Sequence, residues 1–417
     1  MRKDFLFLAG LAVPGLAAAS GYELPNMNPR DLGMVGSLVA AQDSAAAVYG
    51  NPAALARLDG LNLSAALGFV DFRSTWHAVP GTDYTGSTQS DSSIVVPPAV
   101  YASWSGRLER PDIGYGVGIG FTVAGGGNVF WPRDWQGRFD IVSVDRRIYG
   151  TYFMLAVEPL RWLRVGGGLI WYRGTEHLTQ QIGFPGSELN AQVGTEGDAI
   201  SFDLSAEIQP IQPLRIGFDY KHQGPLRLRG QAHFDNPPAE LGAQLQDQGA
   251  THDLTFPNYL SVGVAYQLFP EILVTGQFTW YRFIVYDKDD FVGDRGFSLS
   301  VQRNYHNAHM FRVGAEYAPN PVPRLKVRAG LERDINPTPD EWMSPTIPDA
   351  DIWAVAVGAS YEILDGLAVH AAYFHAFYDE VTTNVGGADN VFPGRYNTRA
   401  NLFSIGATWA VPRFWER

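Results

Sequence analysis

A transmembrane antiparallel β-barrel is the fold class this sequence predicts, and three observations carry the prediction. A period-two alternation of apolar and polar residues recurs about fourteen times between Leu61 and Trp409. The connections between these stretches alternate between short and long. A leading segment of small residues is left over before the first stretch. The alternation is plain where Leu325, Val327, Ala329 and Leu331 interleave with Lys326, Arg328, Gly330 and Glu332. A strand shows two such sets to opposite faces, one suited to lipid and one to a wet interior. An Arg or Lys turned to lipid at mid-depth costs about 2 to 4 kcal/mol, so charges confined to one face require water behind the wall.

Taken in order, the chain opens on an export address. Arg2 and Lys3 precede an apolar run from Phe5 to Leu16, and Ala17-Ala18-Ala19 supplies small residues for cleavage. About twelve apolar residues, broken by Pro14, are too few to span a bilayer as a helix. Residues 1–19 are therefore expected to be a signal peptide, 20–60 a hatch inside the barrel and 61–417 the barrel. Strands are expected at 61–72, 97–106, 112–123, 147–158, 162–175, 199–209, 214–222, 257–267, 271–282, 308–318, 325–334, 351–362, 367–378 and 399–410. Short connections such as 107–111, 159–161, 210–213 and 364–366 read as periplasmic turns. Long ones near 73–96, 124–146, 176–198, 223–256, 283–307, 335–350 and 379–398 read as polar extracellular loops. A barrel of this size has more lumen than its own wall side chains fill, so it is either an open pore or plugged. Ser20 to Gly60 is the natural plug.

Composition excludes several classes. The net charge of -12, without basic clusters, argues against a nucleic-acid partner. With no cysteine there is neither a disulfide scaffold nor a thiolate metal site. His306 and His309 lack the further ligands a metal would need, so no metal or other cofactor is expected. Ser360 and His370 fall in no catalytic arrangement, and no enzyme activity is expected. Aromatic residues make up 13% of the chain; Trp104, Trp131, Trp135, Trp162, Trp171, Trp280, Tyr281, Trp353 and Trp409 lie near strand ends, where interfacial girdles use them.

The leftover segment ends in Asn51-Pro52-Ala53, shortly before the first strand. WPRDWQGR follows the third strand with Trp135, Gly137 and Arg138, and a Pro-rich stretch from Asp334 to Asp351 closes on Pro348-Asp349. In this order the three resemble motifs of the FadL/TodX family of outer-membrane transporters. The resemblance implies a monomeric, hatch-plugged barrel in the outer membrane of a Gram-negative bacterium, surrounded by its lipid. Such a protein passively takes up long-chain fatty acids or, alternatively, aromatic hydrocarbons. It also implies a ligand path from the extracellular loops to a pocket, gated by the N-terminal end of the hatch (Ser20, Gly21, Tyr22) and leaving sideways at a kinked third strand. A sealed adhesive barrel and a water-filled porin are the readings from other classes.

Several residues carry two readings. Gly125, Gly126 and Gly127 weaken a ladder and permit a bulge, which is a lateral port or an ordinary loop start. Asn51 and Pro52 form a rigid corner that anchors the hatch, or a gate. Arg138 is a candidate for a ligand carboxylate, and Asp349 and Asp351 for a lumenal charge network or the fixing of a loop. The chain runs past Trp409 to Arg417, which leaves the end of the last strand open between Ala410 and Trp415.

Overall fold

The computed structural model describes residues 24–238, 242, 245–383 and 392–411. The expected signal peptide, Ser20, Gly21 and Tyr22, and the chain beyond Val411 lie outside the described residues. Fourteen strands make the wall: β1 (Gly60–His77), β2 (Pro98–Leu108), β3 (Ile113–Phe130), β4 (Ser143–Leu160), β5 (Leu163–Phe184), β6 (Ser187–Ile211), β7 (Leu214–His222), β8 (Tyr259–Phe269), β9 (Ile272–Tyr281), β10 (Ala308–Tyr317), β11 (Leu325–Ile335), β12 (Ile352–Leu364), β13 (Leu367–Tyr378) and β14 (Gly394–Ala410). Each pairs antiparallel with the strand before it, and β14 closes the cylinder on β1 from Asn62↔Ala410 to His77↔Arg395. Closure removes sheet edges, which matters because an unpaired backbone group in hydrocarbon costs several kcal/mol.

The alternation sorts as the sequence pattern requires. Phe153, Leu155 and Val157 on β4, Val355 and Val357 on β12, and Phe403 and Ile405 on β14 are exposed on the outer face. Trp104, Trp162, Trp171, Trp353 and Trp409 are exposed there too. Inside, charges meet in chains: Arg164 bonds Glu158 at 2.7 Å and Glu207 at 2.9 Å, and Lys221 bonds Asp203 at 2.9 Å and Asp219 at 2.5 Å.

Three of the expected polar loops, 176–198, 223–256 and 283–307, carry sheet. Strands β5 and β6 continue to a turn near 185–186, and segments Pro225–Phe234, Gln248–Thr255, Lys288–Gly293 and Ser298–Gln302 extend the sheet outward. The period of two persists there, with Leu226 and Leu228 buried and Arg227 and Arg229 exposed. Above the bilayer both faces of the sheet lose their lipid, so the outer face turns polar and resembles a loop in sequence.

Residues 24–58 fill the lumen. They fold as short helices Pro29–Gly33 and Ala47–Gly50 and a 3-10 helix Pro52–Arg57. Asn28 caps the first through its side-chain oxygen, with Pro29 at the first helical position. The plug is tied to wall strands on all sides: Asn28 Nδ2 donates to Ser64 Oγ at 3.0 Å, Arg30 Nε to Glu316 Oε2 at 3.0 Å and Arg57 Nε to Glu207 Oε1 at 3.2 Å. Ser37 Oγ shares a hydrogen bond of 2.7 Å with Thr275 Oγ1. Most of its apolar residues, among them Leu32, Ala45, Val48 and Leu55, are buried.

Candidate functional site

Above the plug, the sheet extensions and the segment 336–351 fold over the mouth and enclose a cavity of about 270 Å³. Its walls are apolar, from Leu178 and Ile182 on β5, Val193 on β6, and Phe291, Phe297 and Leu299 on the outer extensions. Arg146, Asp289 and Arg303 also line it, with Asp140. An apolar chamber with a few polar groups gathered at one place is the usual form of a small-molecule site.

The polar side of this chamber is a closed ionic network. Arg146 Nε donates to Glu176 Oε1 at 2.7 Å, and Arg303 Nε to Asp289 Oδ2 at 2.9 Å. His252 lies between the two carboxylates, with Nδ1 at 2.6 Å from Glu176 Oε2 and Nε2 at 3.0 Å from Asp289 Oδ1. Tyr286 donates its hydroxyl to Asp289 Oδ2 at 2.6 Å, and Arg303 Nη1 reaches Ser344 Oγ at 3.0 Å. Desolvation alone would lower the His252 pKa, but Glu176 and Asp289 outweigh it and push the imidazole up to about 9. Desolvation would raise the carboxyl of Asp289, yet Arg303, His252 and Arg146 hold it far below the usual range. Arg146, Arg303 and the His252 imidazolium thus face Glu176 and Asp289, and Asp140, whose carboxyl burial pushes up to about 7, is a third acid on the cavity wall.

Sequence reasoning passed over His252, Asp289 and Arg303 because they lie in stretches read as loops. The available signal was the persistence of period two through 248–255 and 288–293.

A second feature is a lapse in the wall. The β2–β3 ladder runs from Leu108↔Ile113 to Ala99↔Thr122 and stops. The next backbone link across that seam is Asp91 N–H to Phe130 O at 2.7 Å. Pro97 and Pro98 stand at the break and have no N–H to donate. On its other side β3 stays paired with β4, but the register shifts between Val123 and Gly125. Gly126 holds φ +151, and a Cβ there would lie 2.3 Å from Arg146 O, so only glycine is accommodated. Residues 122 to 126 are buried in succession where alternation should continue. Inside, the plug meets the neighbouring wall: a Cβ on Gly68 would meet both Met27 Sδ at 2.5 Å and Pro97 Cγ at 3.1 Å. Ser404 Oγ donates to Met27 O at 2.5 Å, and Tyr101 to Asn26 Oδ1 at 3.1 Å.

The other residues singled out from sequence are dispersed. Asn51 is fully buried in the plug, where Nδ2 donates to Val39 O at 2.6 Å and Oδ1 accepts from the Ala53 N–H at 3.1 Å. Pro52 opens the 3-10 helix that follows. Trp131 and Trp135 are not girdle residues: they stack at 4.4 Å inside an extracellular aromatic cluster with Trp76 and Phe392. Their indole N–H groups donate to Pro345 O at 3.1 Å and Ile141 O at 2.7 Å, which ties 131–142 to the Pro-rich segment. Tyr281 is also buried. Gly137 lies under Trp135, with 2.3 Å between a Cβ there and the ring. Arg138 points away from the cavity, to Glu188 at 2.5 Å and over the ring of Phe139. Asp349 is buried, whereas Asp351 bonds Arg333 at 2.6 Å on the outer rim and accepts the Asn336 N–H at 3.0 Å, contacts that belong to the loop-fixing reading and not to the lumenal network.

A closed, lipid-faced barrel corked by its own leading segment, with an oily chamber above the cork, defines an outer-membrane channel for hydrophobic compounds. Residues 10–410 match the family described as outer membrane protein transport protein (OMPP1/FadL/TodX), and the chain belongs to that family. It is 21% identical to a putative outer membrane protein of Neisseria meningitidis serogroup B, covering 98% of each chain. Among solved structures it resembles a Pseudomonas aeruginosa FadL homologue (TM-score 0.83, 20% identity, 94% of this chain and 99% of that one). It also resembles the toluene transporter TodX of P. putida (TM-score 0.69, 14% identity, 94% of this chain and 98% of that one). The protein is accordingly an outer-membrane transporter of hydrophobic compounds in a Gram-negative bacterium.

Proposed function

We propose that the transported compound is an amphiphile with an anionic head, of the long-chain fatty acid class. It would enter the extracellular chamber, pass the plug and leave sideways through the β2–β3 lapse. The observation that carries this reading is the pairing of an apolar cavity with Arg146 and Arg303 on one side of it. A hydrocarbon needs only the apolar walls; two buried guanidiniums on one side of the cavity favour a carboxylate as well. The break between Ala99↔Thr122 and Asp91–Phe130 supports a lateral exit, since a fully bonded wall offers no passage from lumen to bilayer. Met27 packs against Gly68 and Ser404 beside that break, a position that supports gating by the leading end of the hatch. Asn51 and Pro52 act as the hinge-side anchor of the same plug.

Aromatic-hydrocarbon uptake is the second reading, and the stacked indoles of Trp131 and Trp135 are the feature in its favour. Their faces cover each other, and Trp76 and Phe392 pack against Trp135.

The test is head-group discrimination by the purified protein. A long-chain fatty acid is expected to bind about tenfold or more tightly than the alcohol of the same chain length, as a charge-assisted hydrogen bond of about 1.5 to 3 kcal/mol requires. Arg303→Gln should abolish the difference while leaving alcohol binding unchanged. Equal affinity for acid and alcohol in the parent, or tighter binding of toluene than of either, would refute the fatty-acid assignment.

A further inference from the structure

We infer that the seam between β14 and β1 carries, at its extracellular rim, a docking surface for the phosphate group of an outer-leaflet lipid. The residues are Arg399 and Arg73, which stand directly opposite each other in the ladder on the outer face. Below them on the same face lie Phe69 and Phe403, rings 6.2 Å apart, and beside Arg399 stands exposed Phe377. Arg73 is four residues beyond Phe69, about 13 Å along the strand and less in height because barrel strands are tilted. That is the depth of lipid headgroups just outside the hydrocarbon, within reach of a long side chain bent back toward the bilayer.

Like charges directly opposed on a sheet repel, so the pair needs an anion nearby. Asp71 serves Arg73, whose Nε donates to Oδ1 at 3.1 Å, and it also accepts from Ser92 at 2.9 Å. Arg395, one turn of the pleat higher and opposite His77, has Glu380 at 3.7 Å. Elsewhere on the rim Arg147, Arg173, Arg227 and Arg333 meet carboxylates at 2.5, 2.7, 3.0 and 2.6 Å. Arg399 is exposed and has no ion pair or hydrogen bond among the described residues. A guanidinium left without a carboxylate among the described residues, facing a second guanidinium, over two lipid-facing rings and beside a third, matches a phosphate above acyl chains. The surface lies outside the transport path, so the inference is independent of which compound is carried.

The test measures binding of the full chain in nonionic detergent, by native mass spectrometry, to a diphosphorylated disaccharide lipid and to the same lipid with its phosphates removed. The parent is expected to retain the phosphorylated form about tenfold better. Arg399→Gln should lose about fivefold of that preference, the effect of one cation near an anionic lipid surface, and Arg399→Lys should keep it. Heat-modifiable gel migration reports whether each variant is folded, and Arg73→Gln serves in place of any variant that is not. Equal retention of both lipids by the parent, an unchanged Arg399→Gln protein, or complete displacement by inorganic phosphate would overturn the inference.

Discussion

His252 shows how much a single side chain depends on its surroundings. Its sequence context, THD, reads as an exposed loop, yet the ring is fully buried between Glu176 and Asp289. With a folded pKa of about 9 against about 6.5 unfolded, its stabilisation is fully present below pH 6.5 and is lost as pH rises through 9. The linkage is of order 3 kcal/mol. Amide exchange in 248–255 and 288–303, after correction for the hydroxide catalysis of exchange itself, is therefore expected to quicken between pH 7 and pH 10. His252→Gln, already without the cation, should show little such dependence; an equal acceleration in the variant would show that the imidazolium does not hold the cap together. Asn51 and Gly126 were readable from sequence as special positions, one for its side-chain hydrogen bonds and one for its backbone freedom, but their partners Val39 O and Arg146 O were not.

At the scale of elements, β3 is the informative strand. The glycine run at 125–127 pointed to a bulge, and the ladder shifts there. The other half of the break, Pro97-Pro98, opens a stretch whose pattern otherwise reads as ordinary wall, and only the pairing places it at the break, with Pro97 O turned to β1, where it accepts the Gly68 N–H at 2.9 Å. Replacing Pro98 by Val would supply one donor on the β3 side and let the seam zip further, since residue 97 turns its backbone polar groups to β1. Uptake of a labelled fatty acid should then slow by about an order of magnitude with its affinity for detergent-purified protein unchanged, an effect of roughly 1.4 kcal/mol on the barrier. Unchanged uptake would remove the seam from the path. The strand extensions above the bilayer illustrate the converse: 225–234 and 248–255 keep the alternation, but with Arg227, Arg229 and Asp253 on the outside they carry the composition of loops.

For the whole molecule, the plug decides between a porin and a carrier of oily compounds. Among the described residues no helix is long and apolar enough to cross a membrane, and the crossing is made by the strands. With residues 24–58 packed inside, the purified protein is expected to show no large, stable conductance in planar bilayers, whereas deletion of 24–58 should produce one. A wide pore in the parent would refute the corked lumen. The plug is held by buried pairs such as Arg30–Glu316 and Arg57–Glu207, whose rupture leaves uncompensated charge, so it is expected to move as segments and not to leave as a unit.

The sequence by itself determined an antiparallel barrel of about fourteen strands with an oily and a wet face, and a leading segment left over to fill it, because each follows from a local period or from chain length. The chamber, the His252 network, the seam beside Pro97 and the opposed Arg73 and Arg399 were decided only by the tertiary structure. Each joins residues from strands distant in the chain, and cylinder closure fixes such contacts through register and strand height, quantities that no local pattern encodes.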